Sequence, residues 1–330
     1  MTVLVTGGAG YIGSHMVLAL VDAGEEVVVL DNLSTGFRWA VHPQAQFHEG
    51  DIGDASLVRN LIRQYGIDAV VHFAGSIIVP ESVENPLKYY LNNTAKSRDL
   101  IEACVKSGVK HFIFSSTAAV YGMPETSPVT EDMNLTPISP YGTSKLMTEW
   151  MLRDTAAAHD LRYVALRYFN VAGADPAGRS GQSTRNATHL IKIACQTALG
   201  QREQMGIFGT DYETPDGTGV RDYIHVSDLI AAHISALQYL RDGGTSLAAN
   251  CGYGHGFSVR EVIQAVEEVS GRPVKATEEP RRAGDPAALV ANSNLLKERM
   301  RWTPQYDDLE QIVRHALAWE ETLPEKVRSK

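Results

Sequence analysis

The run Val3-Leu4-Val5-Thr6-Gly7-Gly8-Ala9-Gly10-Tyr11-Ile12-Gly13 decides the fold. Val3 to Thr6 read as a buried strand, and the glycines at 7, 10 and 13 break it just before an amphipathic helical stretch begins at Tyr11. Such a turn leaves the first amides of the helix unpaired, and these amides attract a phosphate. Gly7 and Gly10 permit the tight turn and let a pyrophosphate approach the backbone, while Gly13 lets the helix pack against the strand. The next strand, Glu26-Val27-Val28-Val29-Leu30, ends in Asp31, close to the ~20-residue offset at which an acid meets a ribose. A carboxylate there accepts hydrogen bonds from both ribose hydroxyls and repels a 2′-phosphate. The reading predicts NAD and not NADP.

Working outward, further strands are predicted over 69–73, 111–115 and 162–166, and helices over 11–23, 56–65, 86–107 and 141–159. This alternation predicts a parallel sheet with helices on both faces. Beyond residue 168 the rhythm loosens. A polar loop over 173–188 leads to a helix over 187–199, a short strand near 206–208 and a loop over 209–219; helices follow over 227–240, 258–270 and 307–322. The expected fold is α/β: a Rossmann-type doubly wound parallel sheet over 1–170, then a smaller C-terminal α/β substrate lobe over 171–330. Some later segments are expected to return to the sheet.

The 330 residues carry a net charge of −9, which argues against a nucleic-acid partner and requires any anionic substrate to be met by particular arginines. The 11 histidines form no HExxH-type ligand pair, and the 3 cysteines lie far apart, so neither a metal nor a disulfide is predicted. A strand at the first residues predicts no signal peptide, and no apolar run approaches the ~20 residues of a membrane span. The expectation is a soluble cytoplasmic protein.

The chemistry is read from Ser139-Pro140-Tyr141-Gly142-Thr143-Ser144-Lys145. Pro140 suits the first turn of a helix, and Tyr141 and Lys145, four apart, share one helical face. An ammonium beside a phenol favours the phenolate, lowering a pKa of ~10 toward the working range and creating a base for an alcohol proton. Ser115-Ser116-Thr117 closes the strand over 111–115, at the sheet edge where ligands bind, so Thr117 is expected beside the reacting hydroxyl.

Together TGGAGYIG (6–13), DNLSTG (31–36), GDI (50–52), HFAG (72–75), SSTAAVYG (115–122), SPYGTSKLMTE (139–149), LRYFNVAGA (166–174), DGTGVRDYIHV (216–226) and RRAGD (281–285) carry a resemblance over nearly the whole chain. The sequence resembles the extended short-chain dehydrogenase/reductase family, and within it the UDP-glucose 4-epimerases. The resemblance implies a homodimeric isomerase that oxidises carbon 4 of a UDP-hexose with bound NAD, turns the keto sugar and reduces it again.

By that resemblance Tyr141, Lys145 and Thr117 are catalytic. The cofactor would lie on Gly7, Gly10, Tyr11, Ile12 and Gly13, on Asp31, Asn32, Ser34, Thr35 and Gly36, and on Asp51 and Ile52 beside the adenine. Phe73, Ala74, Gly75 and Asn92 would line it further, with Tyr168 and Phe169 near the nicotinamide. Asn170, His189, Leu190 and Phe208 would border the sugar nucleotide. Arg221 and Arg282 would neutralise the diphosphate, with Asp285 on the ribose side, because guanidinium forks match phosphate oxygens. Asp222 and Tyr223 are expected only to hold their loop.

Related dehydratases and decarboxylases carry an acid just after the strand-end hydroxyls. Here the segment is Thr117-Ala118-Ala119-Val120, which lacks that proton donor. Ile77 stands where many epimerases have a lysine near the cofactor phosphates. Leu289 stands where the family has a tyrosine or a small residue, the small one accompanying N-acetylated sugars. The competing readings are a 4-epimerase of UDP-N-acetylhexosamines or UDP-pentoses and, in a different class, a catalytically silent NAD(H)-binding regulator. Retention of Tyr141, Lys145 and both arginines argues against the regulator.

Overall fold

The computed structural model describes residues 1–185, 187–282 and 284–323. Strands β1 (Thr2–Thr6), β2 (Glu26–Asp31), β3 (Gln46–Glu49), β4 (Ile67–His72), β5 (His111–Ser115) and β6 (Arg162–Tyr168) come first. Shorter strands follow: β7 (Asn170–Ala172), β8 (Met205–Phe208), β9 (Val220–Arg221), β10 (Tyr223–His225), β11 (Leu247–Cys251), β12 (Phe257–Ser258), β13 (Ala276–Glu279) and β14 (Ala288–Leu289).

Seven of these make one parallel sheet in the order β11-β6-β5-β4-β1-β2-β3. The chain winds outward from β1 through β2 to β3, then crosses back to β4. The crevice between the C-terminal ends of β1 and β4 is therefore the topological switch point at which such sheets bind ligands. Alternate residues feed opposite faces, as a pleated strand requires. Val3, Val5, Val29, Val71 and Ile113 join the core on one side. Leu4, Val28, Leu30, Val70, Phe112 and Phe114 join the core on the other.

Two strands of this sheet were not predicted, and both lie at its edges. In β3, Gln46-Phe47-His48-Glu49 is only partly buried and shows no apolar alternation. In β11, Leu247-Ala248-Ala249-Asn250-Cys251 is short of β-branched residues, and its pairing with β6 overrides weak local propensity. This strand, from the second half of the chain, lies at the sheet edge beside β6. The remaining strands form small sheets β10-β7, β12-β9-β14 and β13-β8.

The helices are α1 (Tyr11–Asp22), α2 (Ala55–Tyr65), α3 (Val79–Glu84), α4 (Pro86–Tyr89), α5 (Lys96–Lys106), α6 (Pro140–Ala158), α7 (Leu190–Ala198), α8 (Val226–Arg241), α9 (Val259–Ser270), α10 (Asn294–Met300) and α11 (Leu309–Thr322). The single helix predicted over 86–107 is broken between α4 and α5 by a π-helical stretch, Tyr90–Ala95. Its cause is Asn93, 2% exposed. The side-chain oxygen accepts the Ser76 N–H at 2.7 Å, and its Nδ2 donates to Ser76 O at 2.9 Å and to Ser144 Oγ at 3.1 Å. A polar side chain satisfied on three sides in the interior widens the helix there, and such π-turns gather at functional sites.

The helix predicted over 187–199 begins only at Leu190, and Asn186 just before it lies outside the described residues. Among the described residues no helix is long and apolar enough to cross a membrane.

Candidate active site

The glycine turn is built by steric exclusion. Gly7 has φ +71°, and a Cβ there would lie 2.7 Å from the backbone nitrogen of Ala74. A Cβ on Gly13 would lie 2.1 Å from Gly7 O, so this residue packs the helix onto the turn itself, not onto the strand as predicted. Gly10 differs. It starts α1 without a side-chain cap, and a Cβ there would meet only Gly7 O, at 3.3 Å. The helix amides are therefore open on the side from which a pyrophosphate would approach, and the turn fits a dinucleotide.

Asp31 ends β2 with 8% exposure; Oδ2 accepts the Ala9 N–H at 2.9 Å and Oδ1 accepts that of Leu33 at 2.8 Å. Burial pushes its carboxyl up despite these bonds. Each carboxylate oxygen has a further lone pair for a ribose hydroxyl. Asn32 Oδ1 accepts the Ser34 N–H at 3.1 Å, and a Cβ on Gly36 would strike the Ala9 backbone at 2.7 Å, so the 31–36 loop folds down over the glycine turn. Thr35 lines a small cavity there with Gly10, Tyr11 and Ser14. Ile12 packs against the core behind. Asp51 is paired with Lys96 at 2.5 Å, whereas Ile52, 6% exposed, joins the core.

Beyond β4, the Phe73 ring lies 4.9 Å from that of His233, and Ala74 backs the turn. A Cβ on Gly75 would sit 3.1 Å from Asn93 Oδ1 and 3.6 Å from Lys145 Nζ, placing this loop against the reactive pair. Asn92 donates to Ser76 Oγ at 3.0 Å. It is the neighbouring Asn93, missed in the sequence, that fixes the loop. The break in helical period that it causes leaves no mark in composition.

Ser139 caps α6 by accepting the Gly142 N–H at 3.2 Å, which sets Tyr141 and Lys145 on the face turned to the ends of β4 and β5. Lys145 is 3% exposed; its Nζ donates to Ser115 O at 2.8 Å and stands 4.9 Å over the Phe114 ring. Burial pulls the ammonium down to about 8, against the attraction of Glu149. The Tyr141 phenol shares a hydrogen bond with Thr117, which favours the phenolate, but loss of solvent outweighs it and raises the phenol above its ordinary value. The expected lowering of Tyr141 by Lys145 is thus not met, because burial outweighs it; Lys145 places one of its three ammonium donors on the Ser115 carbonyl. Tyr168 bonds to Ser115 through their hydroxyls, and its ring lies 6.2 Å from that of His233.

Phe169 and Leu289 pack on one apolar cluster with Val120, Tyr121, Val129 and Leu146. Leu289 lies in register with Arg221 across β14 and β9. Arg221 forms an ion pair with Asp285 and donates to Val220 O at 2.7 Å, so it is already engaged before any phosphate arrives. Arg282 stacks over Phe208 at 3.7 Å. Asn170 starts β7, its backbone N–H donating to Asp222 O at 3.0 Å. His189 caps the entry to α7, beside Leu190, and burial takes its imidazole down to about 4. Asp222 holds its loop, accepting the N–H groups of Tyr253, Gly254 and Ala291 at 3.0 to 3.2 Å.

Among the described residues no cluster of His, Cys, Asp and Glu could hold a metal. Cys104, Cys195 and Cys251 are free and buried.

A dinucleotide turn at the switch point, facing a Tyr–Lys helix and a strand-end threonine, defines a nucleotide-dependent enzyme of the doubly wound class. The chain belongs to the NAD dependent epimerase/dehydratase family, whose model matches residues 3–252. It is 60% identical over 325 residues to a UDP-glucose 4-epimerase of Azospirillum brasilense, covering 98% of this chain and 93% of that protein. UDP-glucose 4-epimerase from Brucella ovis, solved in complex with NAD, superposes with a TM-score of 0.94 at 46% identity, covering 96% of this chain and 97% of that one. The UDP-Glc/GlcNAc 4-epimerase of Campylobacter jejuni superposes at 0.85 with 48% identity, covering 97% and 99%.

Proposed function

We propose that this chain is a UDP-glucose 4-epimerase, interconverting UDP-glucose and UDP-galactose. The observation that carries the reading is Tyr141 bonded to Thr117 beside a buried Lys145, at the mouth of a turn open to a pyrophosphate. NAD would be held by Gly7, Gly10, Gly13 and Asp31 and would supply reversible hydride acceptance for carbon 4. Tyr141 takes the proton of the 4-hydroxyl as phenolate, and Thr117 aligns that hydroxyl. Lys145, as ammonium, stabilises the phenolate. Arg221 and Arg282 anchor the diphosphate, with Asn170, His189, Leu190, Phe208 and Asp285 around the rest of the nucleotide. Holding the nucleotide while the sugar is loosely held lets the keto sugar present its other face.

The deciding experiment incubates purified protein with UDP-galactose and no added cofactor, then resolves the products. UDP-glucose is expected. A dehydrated product, or none, would overturn the reading. Because the redox cycle closes on itself, the protein is also expected to purify with nucleotide bound. Cofactor released by heat should be NAD(H), given Asp31; an absolute NADP requirement would refute that assignment.

We also infer that two copies pair through the helical segment over 86–107 and α6. Tyr90, Thr94, Ala95, Met147 and Met151, together with Arg98 and Asp99, line a largely apolar groove of about 460 Å³ between these segments. Val83, Leu87, Leu91 and Trp150 are exposed nearby, at 64%, 77%, 59% and 44%. Light scattering should report a dimer that Leu91→Glu with Met151→Glu dissociates; a monomeric unmodified protein would refute the pairing. The buried free cysteines suit a reducing compartment, and the chain is assigned to the cytoplasm.

A further inference from the structure

We propose that Glu149 and Arg167 are positioning residues, a buried pair that fixes the catalytic strand end and keeps Lys145 cationic, a role that rests on the function proposed above. Both side chains are 6% exposed. Arg167 donates from Nη2 to Glu149 Oε2 at 2.7 Å and from Nε to Oε1 at 3.1 Å. Removing two charges from water is costly, and an apolar pair of similar volume would often hold a fold as well. What the pair touches suggests its use.

Glu149 Oε1 also accepts the Ser116 hydroxyl. Ser116 lies between Ser115, whose carbonyl receives Lys145, and Thr117, which bonds Tyr141. One carboxylate therefore tethers the residue on which both catalytic contacts depend. From the other side, Arg167 Nη1 donates to Tyr121 OH at 3.0 Å, and that hydroxyl donates to Asn250 Oδ1 at 2.7 Å. Asn250 Nδ2 donates to Val129 O at 3.0 Å, and Val129 N to Val290 O at 2.8 Å, beside Leu289. The network runs from the strand end to the wall of the substrate lobe.

Glu149 is four residues beyond Lys145, one turn further along the same face of α6. The other groups around Lys145 are Tyr141 on its own helix, His72 from β4, and Tyr168 and Arg167 from β6. His72 is held neutral by burial, which takes it to about 3, and burial likewise keeps the Tyr168 phenol protonated. Glu149 is the anion whose attraction opposes the desolvation of Lys145. Without that anion the ammonium loses its proton at lower pH, so the alkaline limb of turnover must move down.

The test uses the full chain with its bound nucleotide. Glu149→Gln keeps the size and the acceptor but leaves Arg167 unpaired; Glu149→Gln with Arg167→Gln removes both charges together and avoids that penalty. Ser116→Ala spares the pair and cuts the tether. Melting temperature and heat-released nucleotide report folding and loading, while kcat and KM for UDP-galactose are followed against pH. In Glu149→Gln the alkaline limb should fall by about one unit, costing about tenfold in kcat on that limb with KM nearly unchanged, and in the double variant, which also removes the Arg167 cation, it should fall less. Ser116→Ala should lower kcat with the limb in place. A folded, loaded Glu149→Gln variant whose pH profile matches that of the unmodified protein would overturn the proposal. An unmodified protein inert toward UDP-galactose would instead remove the functional reading itself.

Discussion

Tyr141→Phe is expected to lower turnover at least ~10²-fold, the lower end for losing a positioned acid/base, while binding of UDP survives. The substitution removes one oxygen from a ring whose place is set by other contacts: the Ser139 cap of α6 and an edge-on packing against Tyr89, with ring centroids 6.4 Å apart. Fold and pocket should persist. Arg221, Arg282 and Phe208, proposed to hold the nucleotide, lie in the second half of the chain, with Arg221 paired to Asp285 and Arg282 stacked on Phe208. Thr117→Ala should cost less, because Tyr141 keeps its phenol and loses one of the contacts favouring its ionised form. Initial rates with UDP-galactose, paired with calorimetric titration of UDP, separate the two effects. Equal loss of turnover and UDP affinity would make the phenol structural.

The structure also shows why Tyr141 cannot be understood from its spacing to Lys145 alone. Four residues on a helix place the two side chains on one face, which the sequence states plainly. It does not state that Ser115 O would accept one of the ammonium's N–H groups at 2.8 Å, or that desolvation would leave the phenol above its ordinary value. Those facts depend on where β5 ends relative to α6, a tertiary relation. The glycine turn was legible because sterics leave so few residues for it: a Cβ on Gly7 or Gly13 would meet backbone atoms at 2.7 or 2.1 Å. Edge strand β11 was not legible, since Ala248 and Ala249 carry no strand preference and gain their place by pairing with β6. Asn93 and the Glu149–Arg167 pair escaped for a related reason. Isolated polar residues in helical or strand patterns read as solvated until the partners that bury them are known.

Leu289 leads to the second large effect, in substrate breadth. It sits beside Arg221 in the β9–β14 register and packs, with Phe169, on the cluster that includes Leu146 of the catalytic helix. A side chain so placed stands between the proposed diphosphate anchor and the proposed nicotinamide wall, where the hexose must turn. By the family resemblance a tyrosine here closes the pocket over the carbon 2 substituent, and a small residue admits an acetamido group. Leucine is intermediate, and its branched end obstructs several heavy atoms, a misfit worth on the order of 1–3 kcal/mol in discrimination. UDP-glucose and UDP-galactose should therefore be epimerised efficiently, and UDP-N-acetylglucosamine ~10- to 200-fold more slowly on the same arithmetic. Leu289→Ser should narrow the gap, chiefly by raising kcat/KM for the N-acetyl substrate. Its loss of packing falls on a partly buried edge of the cluster, so the fold should tolerate the change. The measurement is kcat/KM for both substrate types in both proteins. Comparable efficiencies in the unmodified chain would place the gate elsewhere, as would a serine variant that slows the two sugars alike.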